Sequence, residues 1–89
     1  MATRRSKLEI MLSVLSVVRD GVDKPTRIMY ATNLSWNPAQ EVISRLVEEG
    51  LLGVDDESSQ KRSKKRYHIT ERGLHVLNYL KGAEALISL

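Results

Sequence analysis

The stretch SSQKRSKKRYHIT, residues 58–70, carries Lys61, Arg62, Lys64, Lys65 and Arg66: five cations in six positions with no acid among them. Crowded ammonium and guanidinium groups are a binding surface for phosphate rather than a catalytic set. Just upstream, Glu48–Glu57 holds five acids and no base. The whole chain has 14 Lys and Arg against 11 Asp and Glu, a net charge of +3. The separation of the charges therefore says more than their sum: the basic block suits an anionic partner, the acidic block a basic one. Part of the basic block has a second use. Lys65 and Arg66 are near enough to a strand to pair with Asp55, Asp56 and Glu57 across a hairpin, at about 0.2–1 kcal/mol per pair. Lys61, Arg62 and Lys64 belong to the loop and are left for phosphate.

Other chemistries find little support. There is no cysteine, which excludes disulfides and thiolate metal sites and fits a reducing compartment. His68 and His75 have no second ligand at metal spacing. No Gly-rich phosphate loop, nucleophile motif or recognisable carboxylate pair is present, so an enzyme is not expected, and no cofactor or small-molecule ligand is evident. The start, MATRRSKLEIMLSVLSVVRDG, resembles a secretion signal, but Glu9 interrupts its apolar part and no small-residue cleavage site follows. No apolar run approaches the roughly 20 residues that span a bilayer. A soluble, intracellular, cytoplasmic protein is expected.

The elements that would hold these groups can be read in order. Leu8, Met11, Leu12, Leu15 and Val18 fall on one face of a first helix, capped by Ser6 and ended by Gly21. Pro25 and Thr26 start a short second helix to about Asn33, with Ile28, Ala31 and Leu34 inward. The segment NLSWNP breaks it. Asn37 then reads as the cap of a third helix, with Pro38 at its first position and Gln40 reaching back in a capping box. Val42, Ile43 and Leu46 form the buried stripe of that helix, and Gly50 closes it. LLGVDDE and KKRYHIT read as two strands, Tyr67 and Ile69 on the apolar face and Arg66 and His68 on the wet one. Thr70 caps a last helix with Glu71 at its positive end. Phe is absent, so the core falls to Leu, Ile and Val, with Tyr30 and Trp36 (in the turn before the third helix) expected as packing residues.

Two helices joined by a tight turn and followed by a hairpin make a winged helix-turn-helix: an α+β, mainly α single domain over residues 1–89. Its third helix fits a DNA major groove and its hairpin, the wing, reaches the backbone. At about 100° per residue, the third helix turns Asn37, Glu41, Ser44 and Glu48 away from its buried stripe, flanked by Gln40 and Arg45. Asn and Gln suit adenine, Arg suits guanine, and Ser suits base or phosphate. Glu41 and Glu48 oppose phosphate, which leans toward selective binding over sequence-blind coating. Arg27, in the first turn of the second helix, is a further candidate for the backbone. Arg4, Arg5 and Lys7 could form an arm into a groove.

KLEIMLSVLSVVRDGVDKPTRIMYATNLSWNPAQEVISRLVEEGLL together with YHITERGLHVL resembles small archaeal winged helix-turn-helix DNA-binding proteins. Some of these are ten-kilodalton chromatin-associated proteins and others predicted transcription regulators. TRIMYATNLS and YHITERG carry the resemblance most distinctively, and it covers Lys7 to about Leu80. It implies DNA binding in transcription or chromatin organisation, and a homodimer through a long last helix. Here that helix is interrupted by Gly82. Leu74 and Leu77 should face the body of the domain. Val76, Leu80, Ala83 and Ile87 form a separate stripe at spacings of four, three and four, short of the roughly three heptads of a convincing coiled coil. The competing reading is a protein-interaction module working through the acidic surface at 48–57, because fold alone does not fix function.

Overall fold

A computed structural model describes residues 6–56 and 64–87. Lys61 and Arg62, like Arg4 and Arg5, lie outside the described residues. Among the described residues the order is α1 (Lys7–Arg19), α2 (Pro25–Ala31), α3 (Trp36–Glu48), β1 (Leu52–Asp56), β2 (Lys65–Ile69) and α4 (Glu71–Ile87). The strands form one antiparallel pair, with Leu52 opposite Ile69 and Asp56 opposite Lys65. The expected fold class is the one observed.

The first three helices stop in the same way. Gly21 (φ +104), Asn33 (φ +57) and Gly50 (φ +76) stand just past α1, α2 and α3 in left-handed backbone. At each, the next residue reaches back five positions: Val22 N donates to Val17 O, Leu34 N to Met29 O and Leu51 N to Leu46 O, at 2.9–3.0 Å. That is a Schellman ending, and its accompanying apolar residue folds back onto the domain. Val22 and Leu34 pack against the core and Leu51 belongs to it. Sequence and local geometry thus turn the chain three times around one centre.

That centre is built from Leu12, Val14, Leu15 and Val18 of α1, Ile28 of α2, Ile43 and Leu46 of α3, then Leu51, Leu52, Tyr67 and Leu77. Several inward assignments are corrected. Leu8 and Ala31 are exposed, and α2 ends at Ala31 instead of running to Asn33. Thr32 is buried in Ala31's stead, its hydroxyl donating to Ile28 O at 2.7 Å. A threonine that satisfies itself on its own helix behaves as an apolar residue toward its neighbours. Ala39 is fully buried on α3. Tyr30, expected in the core, is 78% exposed.

Candidate nucleic-acid interface

The turn between α2 and α3 sets the angle of α3. Four residues, Thr32–Ser35, make it, and Asn33 takes the left-handed position that reverses the chain. Asn is among the few side chains that tolerate this backbone. The capping expectation at Asn37 is overturned. Ser35, with extended backbone, is the N-cap, Trp36 opens the helix, and Ser35 makes no side-chain cap bond. Asn37 and Pro38 are the second and third helical residues. Proline is tolerated there because its missing N–H is one the first turn leaves without an intrahelical partner. Gln40, five residues past the cap, therefore cannot close a capping box.

Asn37, Glu41, Ser44, Arg45 and Glu48 are exposed on α3, and Ala39, Ile43 and Leu46 face inward. Arg45 pairs with Glu49 one turn on, at 3.7 Å with both side chains largely exposed. Gln40 is different: it is half-buried, and its Nε2 is buried without a hydrogen-bond partner. A buried donor left unpaired costs about 1–3 kcal/mol.

The wing is tied to the domain by Asp23. Tyr67 N donates to Asp23 O at 2.9 Å, and Arg66 Nη1 stands 3.6 Å from Asp23 Oδ2. Arg66 faces Asp55 in the strand register, but Asp55 Oδ2 lies 3.1 Å from His68 Nδ1, the diagonal neighbour. Of the cross-strand pairing considered for Arg66, the structure shows Asp23–Arg66 instead, and Asp55 pairs with His68. Burial, and then the nearby Asp56 carboxylate, push the Tyr67 hydroxyl above its ordinary pKa.

Between the start of α2, the start of α3 and the wing lies a cleft of about 690 Å³. Lys24, Trp36, Gln40, Lys64, Lys65 and Arg66 line it, and none of its described lining residues is acidic. Four sequence-predicted residues, Gln40, Lys64, Lys65 and Arg66, are brought together here. Lys24 and Trp36 are additions. Trp36 is 49% exposed, at the head of the helix and not packed away in the turn. The signal for Lys24 was its place beside Pro25 at a helix start. Arg27 is exposed in the first turn of α2 but does not line the cleft.

Ser44, on the outward face of α3, and Arg45, on its other flank, do not line this cleft. They border a groove of about 700 Å³ shared with α1 and α4, whose floor includes Ile10, Met11, Val42 and Val76 and whose rim carries Glu41, Glu48 and Glu49. Lys7, read as part of an arm, is the first residue of α1 and lines this groove.

On α4, Thr70 is the cap as expected. Its hydroxyl oxygen accepts from Gly73 N at 3.0 Å and lies 2.7 Å from Gly50 O. Leu77 is fully buried. Val76 and Leu80 pack partly on their own core and Ala83 is half-buried, whereas Tyr79 and Leu86 are 77% and 75% exposed. No helix among the described residues is long and apolar enough to cross a membrane. Nor does any group of three or more His, Asp or Glu among them form a metal site.

Comparison with known proteins places this architecture. An uncharacterized protein of Methanocaldococcus jannaschii is 31% identical over 77 residues, covering 86% of this chain and 71% of that one. Sso10a-2, a DNA-binding protein from Sulfolobus solfataricus, superposes with a TM-score of 0.69 at 29% identity, covering 94% of this chain and 87% of that one. A PadR-like transcriptional regulator from Bacillus cereus shares the fold, with a TM-score of 0.80 at 20% identity over 92% of this chain and 86% of its own. These likenesses bear out the resemblance to small archaeal winged-helix proteins. Residues 4–88 match the winged helix-turn-helix family model, and with a short turn, an exposed α3 and a two-stranded wing in place, the chain belongs to the winged helix-turn-helix family.

Proposed function

We propose that this protein binds double-stranded DNA, by contact and not by catalysis, as a transcription regulator or chromatin-associated protein of the nucleoid. The observation that carries the reading is the cleft, with no acid among its described lining residues, that joins Lys24, Lys64, Lys65 and Arg66 to the head of α3. Asn37, Ser44 and Arg45 meet base edges in the major groove. The wing, with Lys61 and Arg62 as well as Lys64, holds the backbone, and Arg27 takes a neighbouring phosphate. A homodimer through α4, by Val76, Leu80, Ala83 and Ile87, would set two copies on adjacent half-sites. Partial burial of Val76 and Leu80 in their own domain leaves such a seam narrow.

The test is fluorescence anisotropy of a labelled random duplex, repeated from low to physiological salt. Binding should fall steeply as salt rises, and replacing Lys61, Arg62 and Lys64 by Ala should flatten that dependence by about 0.9 per lost phosphate contact. Unchanged affinity in the triple variant removes the wing from the interface. Selection from a random library then separates a regulator from a general chromatin protein.

A second reading has one observation in its favour. Glu48 and Glu49 rim the apolar groove beside Ile10 and Met11, a surface suited to a basic, amphipathic protein segment. Replacing Glu48, Glu49, Asp55 and Asp56 would abolish that partner while leaving duplex binding in place.

A further inference from the structure

Gln40 is poorly placed to read a base. At about 100° per residue it stands roughly 140° around α3 from Arg45, on the flank turned to the wing. Trp36, one turn earlier, shares that flank, and both residues line the cleft with Lys24, Lys64 and Lys65. Asn37, Glu41 and Ser44 occupy the outward face between the two flanks. The Gln40 amide nitrogen is buried and has no acceptor. Every charged side chain among the described residues lining the cleft is cationic, which favours an anion as the acceptor that arrives there.

We propose that this cleft is a phosphate site in which Gln40 donates a hydrogen bond to an anionic oxygen held by Lys24, Lys64 and Lys65, with Trp36 as its wall. A half-turn of the amide about its last torsion brings Nε2 from its unpaired position into the cleft. Nε2 has no partner to lose in the turn, and Oε1 takes the buried position that it leaves. Resting on the DNA reading above, the occupant is a backbone phosphodiester of the duplex. Free phosphate offers the same chemistry. Gln40 then contributes grip without sequence preference, and base reading falls to Asn37, Ser44 and Arg45.

Trp36 is the only tryptophan in the sequence, so its fluorescence reports occupancy of the cleft directly. The full chain is titrated with two duplexes of unrelated sequence, and separately with inorganic phosphate. Gln40→Ala should weaken both duplexes by the same factor, about five- to tenfold. Gln40→Glu, of the same shape but charged, should weaken them further, most at low salt. Loss confined to one duplex would make Gln40 a base reader and overturn the proposal, as would unchanged affinity. Should Gln40→Ala lose its helical circular dichroism, exposed Lys24 decides: Lys24→Ala should flatten the salt dependence by about 0.9, and an unchanged slope overturns the site. If the wild type binds neither duplex, the DNA reading fails by itself. A saturable Trp36 response to inorganic phosphate, removed by Gln40→Ala, would then sustain the site with a free phosphate as its ligand, and no response would end it.

Discussion

Gly73 lies directly against the main chain of Leu51: a Cβ at 73 would fall on the Leu51 carbonyl oxygen and meet Cγ1 of Ile69 at 2.8 Å. The first turn of α4 can approach the end of α3 this closely only because residue 73 has no side chain. Thr70 fixes the same junction, with its N donating to Leu51 O at 3.2 Å and its hydroxyl bonding Gly73 N. Gly73→Ala must push backbone from backbone and should destabilise the domain by about 3 kcal/mol in urea denaturation. Gly53→Ala is the contrasting case. A Cβ there meets only the His68 ring, which is more than half exposed and can swing aside, so a cost under about 1 kcal/mol is expected. Equal losses in the two variants would contradict the distinction between a backbone and a side-chain neighbour.

Asn33 connects stability to recognition. Its φ of +57 is the hinge from which α3 departs, and a β-branched residue is strained there. Asn33→Val should lower stability by about 1–2 kcal/mol and weaken duplex binding beyond that loss, since the head of α3 and the wing would no longer share one cleft. Thermal melting and anisotropy on the same sample check both halves. A destabilised variant with unchanged DNA affinity at low temperature would show that the turn does not position the helix.

Most of the architecture was legible because local signals agreed with one another. Ser6, Gly21, Gly50 and Thr70 stand where capping preferences put them, and the alternation of Tyr67 and Ile69 with Arg66 and His68 read correctly as a half-buried strand. The failures share a physical cause. At Asn37 two rules conflicted, the restriction before proline and the tolerance of proline in a first turn, and the second prevailed. Tyr30 and Trp36 were placed inside by residue type, but a core already closed by Leu, Ile and Val leaves them outside. The site was legible only as residue types. Periodicity places Gln40 and Arg45 on opposite flanks of α3, yet which flank meets the wing depends on long-range packing. Asp23 as Arg66's partner depends on a loop-to-strand contact that sequence spacing does not encode.

Tyr67 should leave a mark on alkaline stability. Its hydroxyl has a pKa raised above the ordinary 10.0, chiefly by burial and then by Asp56. The folded protein therefore holds a proton that the unfolded chain releases near pH 10. The stabilisation this represents is complete below that pH and is lost as pH rises through the folded-state value. Tyr67→Phe keeps the ring and removes the titration. Between about pH 9 and 11 the wild type should lose more stability than Tyr67→Phe, measured as the difference between their urea midpoints. Parallel pH profiles would show that Tyr67 ionises as freely folded as unfolded.

Asp23 is paired with a wing cation that also lines the cleft, and it holds Arg66 through a contact of 3.6 Å with both groups well exposed. Such a pair contributes under about 1 kcal/mol, whereas the main-chain bond from Tyr67 N to Asp23 O does not depend on the side chain. Asp23→Asn should thus leave the wing in place and change stability by less than about 0.5 kcal/mol. It also removes a negative charge from the edge of the cleft and frees Arg66 for phosphate. Duplex affinity at low salt should rise by about two- to fivefold, and the salt dependence should steepen by about 0.9 if Arg66 gains one phosphate contact. A fall in affinity would mean instead that the Asp23–Arg66 contact orients the wing for DNA and does not compete with it.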